Sequence, residues 1–185
     1  MRVTAGTFKG LSLTVPPNIR PTEGRVRQAF FNILRDVVPG ARVLDGFAGS
    51  GALGIEALSR GAASATFVEQ DTECVLAIRA NLEKLGDNFS RASRRVVHAD
   101  FERGVRLLAQ SKAVFDLVLL DPPYRTDEGK KALNDLYRYA MLAPGAILAV
   151  EHERRSELPE TVGSIRRLKQ HRYGETVLSF YQVFP

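Results

Sequence analysis

The feature that most constrains the fold is an apolar run that ends in an acid and opens into glycines, Val43-Leu44-Asp45-Gly46-Phe47-Ala48-Gly49-Ser50-Gly51-Ala52-Leu53-Gly54. Its start is short and β-compatible, and apolar residues recur at helical spacing from Ala52 onward, which predicts a buried strand, a tight turn and a helix. Glycines at 46, 49 and 51 let the backbone bend sharply and approach a bound molecule. Open α/β sheets bind ligands at the carboxyl ends of their strands, so the turn predicts a nucleotide-like cofactor.

The glycine spacing leaves two classes of cofactor open. Gly49-x-Gly51-x-x-Gly54 satisfies the dinucleotide pattern, and Glu69 lies where a ribose-binding acid is expected. Asp45, however, would bring a carboxylate close to a pyrophosphate. S-adenosylmethionine carries a cationic sulfonium and an amino group, and it tolerates an acid at that place. The acid therefore favours S-adenosylmethionine over a nicotinamide dinucleotide.

Beyond Gly40 the chain alternates predicted strands and helices, which implies parallel strands with right-handed crossovers. The predicted strands are 42–45, 65–69, 95–99, 115–120 and 146–151, followed by an antiparallel hairpin of 164–173 and 176–183. The expected fold is α/β and Rossmann-like, with a mostly parallel seven-stranded sheet. Residues 1–38 predict a β-hairpin, a loop and a helix that together form an arm, with Thr22 as a candidate helix N-cap. Residues 39–185 form the cofactor-binding part of the same single domain.

The basic charge is concentrated at the start of the chain. Residues 1–35 carry six basic side chains against one acid, whereas the rest of the chain carries 20 of each sign. A basic appendage on an otherwise neutral domain predicts a polyanionic partner, most simply nucleic acid.

Composition also bears on location and on metals. No apolar run approaches a membrane span, and the first residues lack a signal-peptide core, so we expect a cytoplasmic protein that does not contact membranes. No pair of histidines has metal-ligand spacing, and the single cysteine has no ligand-like neighbours. The sequence therefore predicts no metal site.

Acids fall at or just beyond the ends of four successive predicted strands: Asp45, Glu69, Asp100 and Asp121. In a parallel sheet these ends share one edge, so the four carboxylates should meet. Glu69 can accept hydrogen bonds from two ribose hydroxyls. Asp100 can receive an adenine amino group while Phe101 covers the ring, although Asp100 is equally suited to cap a helix.

Asp121-Pro122-Pro123-Tyr124 is the sharpest chemical signal in the chain. Two consecutive prolines remove two N–H donors, so the backbone carbonyls and the Asp121 carboxylate present only acceptors. Such a surface suits an exocyclic amine, because acceptors on its two N–H bonds orient the lone pair and stabilise the positive charge that grows during attack. Tyr124 is placed to stack on the base.

Taken together, these motifs resemble the RsmD family of bacterial 16S ribosomal RNA guanine-N2 methyltransferases, within the class I S-adenosylmethionine-dependent superfamily. The resemblance lies in the motifs Arg20-Pro21-Thr22-x-x-Arg25-Val26-Arg27, Phe31-Asn32-Ile33-Leu34, residues 44–61, Asp121-Pro122-Pro123-Tyr124 and Tyr173-Gly174-Glu175-Thr176. These motifs span nearly the whole chain, and the arginine-rich one is specific to the family.

The resemblance implies methyl transfer from S-adenosyl-L-methionine to the exocyclic N2 of guanine 966 of 16S rRNA, within the small subunit or its assembly intermediate. It implies catalytic roles for Asp121, Pro122, Pro123 and Tyr124. The implied cofactor-binding residues are Asp45, Gly46, Phe47, Ala48, Gly49, Gly51, Glu69, Gln70, Asp100 and Phe101. The implied RNA-binding residues are Arg20, Thr22, Arg25, Arg27 and Arg125. The protein is expected to act as a monomer and without a metal.

Three alternative functions stay open. A DNA methyltransferase acting on adenine N6 or cytosine shares Asp-Pro-Pro-Tyr and base flipping, but 185 residues leave no room for a separate target-recognition domain. An NAD-dependent dehydrogenase would use the glycine turn and gives no reason for Asp121-Pro122-Pro123-Tyr124. A ribosome-assembly factor without activity would keep the fold and bind RNA only.

Overall fold

The structure is a computed structural model that describes residues 1–17, 24–86, 93–124 and 126–185, without the side chains of residues 24 and 25. The helices are α1 (Gly24–Ile33), α2 (Ala52–Ser59), α3 (Thr72–Glu83), α4 (Phe101–Gln110) and α5 (Glu128–Arg138). The strands are β1 (Arg42–Gly46), β2 (Ser64–Glu69), β3 (Arg94–His98), β4 (Phe115–Leu120), β5 (Leu142–Glu153), β6 (Thr161–Val162), β7 (Ile165–Tyr173) and β8 (Thr176–Val183).

The strands form one sheet in the order β3-β2-β1-β4-β5-β8-β7-β6. Strands β1 to β5 are parallel, and β8 runs antiparallel between β5 and β7. The predicted Rossmann-like fold with an antiparallel end is confirmed, but the count of seven strands is wrong by one. The eighth strand, β6, pairs with β7 over only two residues, which is too short for an alternating pattern to show in the sequence.

Helices cover both faces of the sheet. The core on one face includes Phe30 and Phe31 of α1 and Ile55 of α2, and the core on the other face includes Val105 of α4 and Leu133 of α5. Strand β4 is buried on both faces, as its continuous apolar run predicts, because its residues alternate between the two cores. This leaves the strand ends as the place where polar side chains gather.

The N-terminal segment is fastened to α2 through a buried carboxylate. The predicted hairpin is reduced to one antiparallel bridge between Arg2 and Ser12. Glu56, 1% exposed, accepts hydrogen bonds from the Thr4 amide at 2.8 Å, the Thr4 hydroxyl at 2.6 Å and the Ala5 amide at 3.1 Å. The start of the arm therefore packs as part of the domain surface.

Neither a membrane span nor a metal cluster is found in the described part of the chain. None of the described helices combines the length and apolarity needed to cross a bilayer. Among residues 1–17, 24–86, 93–124 and 126–185, no three His, Cys, Asp or Glu side chains are grouped so as to hold a metal ion.

Candidate active site

A cleft of about 1380 Å³ opens at the carboxyl edge of the parallel strands. The four strand-end acids predicted to meet, Asp45, Glu69, Asp100 and Asp121, all line it. Phe47, Ala48, Gly49, Gln70, Phe101, Pro122, Pro123 and Tyr124 also lie in its wall, together with residues 173–176 of the β7–β8 turn. The topology therefore brings the candidate cofactor residues and the candidate catalytic residues into one cavity.

Asp45 is the second-to-last residue of β1 and lines the cleft. It is 1% exposed, and its Oδ2 accepts a hydrogen bond from the Gly54 amide at 2.7 Å. Its Oδ1 is buried and has no hydrogen-bond partner among the described residues. Burial raises the pKa of Asp45 well above its usual range, and the nearby charges of Asp121 and Glu69 raise it further. Such an oxygen suits a ligand that brings an N–H donor or a positive charge.

Two glycines of the turn lie behind the cleft wall, although the sequence places them in the cofactor site. Gly46 packs against the side chains of α4 and β4, since a Cβ on it would come within 2.4 Å of the Phe101 ring and 2.7 Å of Leu120. Gly51 has φ +76° and begins α2 with its Cα facing the core. Neither residue lines the cleft. They shape the turn from behind, whereas residues 47 to 49 form its surface.

Glu69 accepts hydrogen bonds from the protein backbone that the sequence does not predict. Its Oε2 accepts a hydrogen bond from the Gly49 amide at 2.7 Å, and its Oε1 accepts from the amides of Gln70 and Asp71, each at 2.8 Å. The side chain is 9% exposed. A carboxylate has about four acceptor sites, so Glu69 can hold the glycine turn in place and still receive a ligand hydroxyl.

Asp100 and Phe101 form another part of the wall. Asp100 caps α4, because its Oδ1 accepts a hydrogen bond from the Arg103 amide at 2.9 Å. The Phe101 ring stacks on Phe47 with centroids 4.8 Å apart and an interplanar angle of 14°. Asp100 can therefore cap α4 and also accept a hydrogen bond from an adenine amino group, since the cap uses only one of its two oxygens.

Tyr124 is held at the mouth of the cleft by residues distant in sequence. Its hydroxyl donates a hydrogen bond to Glu151 Oε1 at 3.1 Å and lies 3.0 Å from Thr176 Oγ1. Burial raises the pKa of Tyr124 to about 12, and the Glu151 carboxylate contributes to the rise. The residue remains 43% exposed. Its phenol end is thus fixed while part of the side chain stays accessible.

Glu151 and Thr176 were not predicted as site residues. Glu151 is 5% exposed and lines the cleft near the end of β5, so it is a fifth acid of the kind found in β1 to β4. Applied to β5, the strand-end rule would have found it. Thr176 belongs to the Tyr173-Gly174-Glu175-Thr176 motif, whose link to Tyr124 becomes apparent only when β8 is placed beside β5.

The predicted RNA-binding residues have different outcomes. Arg20, Thr22 and Arg125 lie outside the described residues, as does the side chain of Arg25. Arg27 is described, and it corrects the expectation of RNA contact because it is only 3% exposed. Its guanidinium contacts the Met1 sulfur, donates to the Arg2 carbonyl at 2.6 Å and lies 3.9 Å from Glu56. Burial lowers the pKa of Arg27. Its contacts give it a structural role, which is to hold the N-terminal segment on α1.

Comparison with known proteins gives matches over nearly the full chain. The family described as Conserved hypothetical protein 95 matches residues 1–182. Ribosomal RNA small subunit methyltransferase D of Escherichia coli is 36% identical over 184 residues, covering 98% of this chain and 89% of its own. YlbH of Bacillus subtilis is 37% identical over 184 residues, covering 98% of each chain. The solved structure of Escherichia coli yhhF gives a TM-score of 0.86 at 35% identity, covering 100% of this chain and 98% of that one.

Proposed function

The chain belongs to the RsmD family of ribosomal RNA methyltransferases, and on this premise we propose that it methylates the exocyclic N2 of guanine 966 of 16S rRNA in the small ribosomal subunit. Methylation of rRNA from S-adenosyl-L-methionine is the activity of the family. The observation that carries the finer proposal is the acceptor-only turn of Asp121 to Pro123, which shares one cleft with Asp45 and with the fixed ring of Tyr124. An amine that enters this turn meets acceptors and no backbone donor at the prolines.

The residues of the cleft fit S-adenosylmethionine. Asp45 Oδ1 is a buried acceptor without a partner among the described residues, and it suits the cationic methionine part. Glu69 retains capacity for one ribose hydroxyl, and Phe101 lines the cleft beside Asp100, where adenine would lie. When bound, S-adenosylmethionine supplies a methyl group activated by a positively charged sulfur.

The protein's own contribution is to hold the guanine and to stabilise charge. Asp121 and the neighbouring carbonyl accept the two N–H bonds of the amine and direct its lone pair into the cleft. Tyr124 stacks on the base. Positioning of this kind can remove on the order of 7–11 kcal/mol from a reaction barrier. As the new N–C bond forms, the amine nitrogen becomes positively charged and its proton becomes acidic. The Asp121 carboxylate would stabilise this positive charge.

The test is transfer of labelled methyl from S-adenosylmethionine to small subunits that lack this modification, followed by nucleoside analysis. The expected product is N2-methylguanosine at a single site, and subunits already methylated there should accept no label. Label in another nucleoside or in DNA would overturn the substrate assignment. Binding of subunits without any transfer would indicate an assembly factor instead.

The hydrogen bonds of the Tyr124 hydroxyl to Glu151 and Thr176 predict rate losses of different size for different substitutions. Tyr124→Phe should lower kcat roughly three- to tenfold, as expected for the loss of one hydrogen-bonded anchor, while Tyr124→Ala should lose roughly tenfold more because stacking is also lost. Thr176→Val should lower kcat by about as much as Tyr124→Phe, because it removes the hydroxyl beside Tyr124. Thr176→Ser keeps that hydroxyl and should have the kcat of the unaltered protein. Single-turnover rates and the cofactor Kd are the measurements, with Tyr137→Phe on the exposed side of α5 as control. Equal rates for Tyr124→Phe and Tyr124→Ala would contradict stacking.

The raised pKa of Asp45 predicts pH-dependent cofactor binding. A positive group against the carboxylate favours its ionised form, so cofactor affinity should rise with pH through the raised pKa, and binding below it should release a proton. In the protein without cofactor, the same raised pKa makes the free energy of unfolding fall as pH rises from the ordinary Asp pKa to the raised one. The reason is that Asp45 loses its proton at lower pH in the unfolded chain than in the folded protein. Calorimetry in buffers of different ionisation enthalpy measures the proton release. Asp45→Asn should abolish this pH dependence, and a variant that kept it would contradict the assignment.

A further inference from the structure

Strand β7 carries a concentration of positive charge that the net balance of the chain conceals. From Ser164 to Tyr173 the sequence reads Ser-Ile-Arg-Arg-Leu-Lys-Gln-His-Arg-Tyr, with four cations and no acid. Arg166, Lys169 and Arg172 are exposed. Because residues 36–185 as a whole contain 20 basic and 20 acidic side chains, this strand is a local excess within a neutral region.

The outer edge of β7 is largely open. One edge of β7 pairs with β8 along its length, whereas on the other edge β6 reaches only Ile165 and Arg166. Over the described residues, the edge from Arg167 to Tyr173 therefore has no neighbouring strand. A bulge between Arg167 and Lys169 shifts the register. Arg166 lies opposite Gln182 and Lys169 opposite Phe180, so the bulge brings both cations to the same face of the sheet.

These three cations are not neutralised within the described structure. Arg167 pairs with Glu160 at 2.8 Å. Arg166, Lys169 and Arg172 have no carboxylate within salt-bridge distance in the described ranges. Arg166 and Lys169 instead rest over the rings of Phe184 and Phe180, at 5.3 and 5.7 Å from the centroids. Their positive charge is available to an outside partner.

The strand also leads to the cleft. It ends at Tyr173, which lines the cavity together with Thr176, the residue beside Tyr124. With a rise of about 3.3 Å per residue, Arg166 lies roughly 23 Å from Tyr173 along the strand. The exposed cations thus follow β7 outward from the mouth of the site, with Arg172, opposite Val177, on one face of the sheet and Lys169 and Arg166 on the other.

We propose that the outer edge of β7, through Arg166, Lys169 and Arg172, binds the sugar–phosphate backbone of the RNA that flanks the target base. The inference rests on the proposed function for the identity of the RNA. Unpaired cations spaced along an open edge that begins at the cleft, on both faces of that edge, match a strand of phosphates leading away from a base held inside the cleft. This surface adds to the arm, whose side chains at Arg20 and Arg25 lie outside the described residues.

Charged side chains on an open edge have a second possible role, which is to prevent pairing with the edge of another molecule. The two roles make different predictions. An edge protected only against pairing should self-associate when its charges are removed, with no change in RNA affinity. An RNA-binding edge should lose RNA affinity and the salt dependence that accompanies it.

The test compares the triple variant Arg166→Gln/Lys169→Gln/Arg172→Gln with the charge-matched Arg106→Gln/Lys112→Gln/Lys130→Gln. The control positions are exposed on and beside α4 and α5. Affinity for unmodified small subunits and for naked 16S rRNA is measured from about 50 to 200 mM salt, with cofactor Kd by calorimetry. For the β7 variant the slope of log K against log salt should shrink by about 2, at about 0.7 per lost phosphate contact on single-stranded RNA. KM for RNA should rise, with cofactor Kd and kcat at saturating RNA unchanged.

Equal slopes for the two triple variants would overturn the proposal, as would self-association of the β7 variant with unchanged RNA affinity. A loss of affinity for assembled subunits but not for naked RNA would assign the edge to a ribosomal protein and also overturn it. Failure of the proposed function is a separate result, because it appears as absence of methyl transfer by the unaltered protein. In that case the proposal for β7 is judged on RNA affinity alone.

Discussion

Replacing Asp121 by Asn is expected to lower the rate of methyl transfer by on the order of 10²–10³-fold, the usual effect of removing one group that stabilises developing charge. Asn keeps the size of the side chain but replaces one acceptor oxygen by an NH₂ donor. This donor would face an N–H group of the substrate amine, which needs an acceptor. The Asp121 carboxylate also helps to raise the pKa of Asp45. Cofactor affinity should therefore be unchanged or slightly higher, and the loss should appear in kcat.

Asp127→Asn is the matched control. Asp127 lies six residues further along, is exposed, and makes no side-chain cap bond to α5. Its replacement should leave the rate unchanged. Single-turnover rates with bound RNA separate chemistry from product release. A full rate in Asp121→Asn would remove this residue from the reaction, whereas a parallel loss of cofactor binding would point to collapse of the cleft.

Glu69→Gln is expected to weaken cofactor binding by roughly 10- to 100-fold. The Glu69 carboxylate accepts hydrogen bonds from the amides of Gly49, Gln70 and Asp71, and hydrogen bonds to charged groups contribute about 1.5–3 kcal/mol each. A Gln side chain has one acceptor oxygen and an NH₂ group that cannot accept. The amide of Gly49 or those of Gln70 and Asp71 must therefore lose their partner, and the glycine turn should loosen.

Calorimetry of cofactor binding measures the effect, and the chemical shift of the Gly49 amide reports the turn directly. Glu83→Gln, at the exposed end of α3, removes the same charge and should leave affinity unchanged. An unaltered Gly49 signal in Glu69→Gln, combined with weaker binding, would assign Glu69 to ribose contact alone. Unaltered affinity would exclude both roles.

The fold could be predicted where the pattern is local. The bounds of β4 were predicted as the structure gives them, because a continuous apolar run between polar residues marks a strand buried on both faces. Capping is local in the same way: Asp71 directly precedes α3, and its side chain accepts a hydrogen bond from the Cys74 amide at 3.0 Å. By contrast, β5 begins at Leu142, because Leu142 pairs with Phe115 of β4 before the irregular stretch at Pro144-Gly145, and regular pairing resumes at Ile147.

In the candidate site, the strand-end acids were found because direction in a parallel sheet decides where they meet. Side-chain accessibility was not visible in the same way. The charge count could not show that Arg27 is buried beside Glu56. The glycine pattern was also ambiguous: a Cβ at Gly54 would come within 2.3 Å of the Phe67 ring, so the third glycine serves helix–strand packing and not a particular cofactor.

The two halves of the cleft differ in the length of chain that each must close. The cofactor half is fixed by Asp45 to Gly54 and Gly49 to Glu69, which are 9 and 20 residues apart. The base half needs Tyr124 to reach Thr176, 52 residues away. Short loops close at lower entropic cost and form earlier in folding, so we expect pulsed hydrogen exchange to protect Gly49 before those β8 amides that bond to β5, and the reverse order would contradict this. The β8 amides that bond to β7 are excluded from this comparison, because that hairpin is itself local. During folding, the molecule should thus become able to hold its cofactor before it is able to position a base.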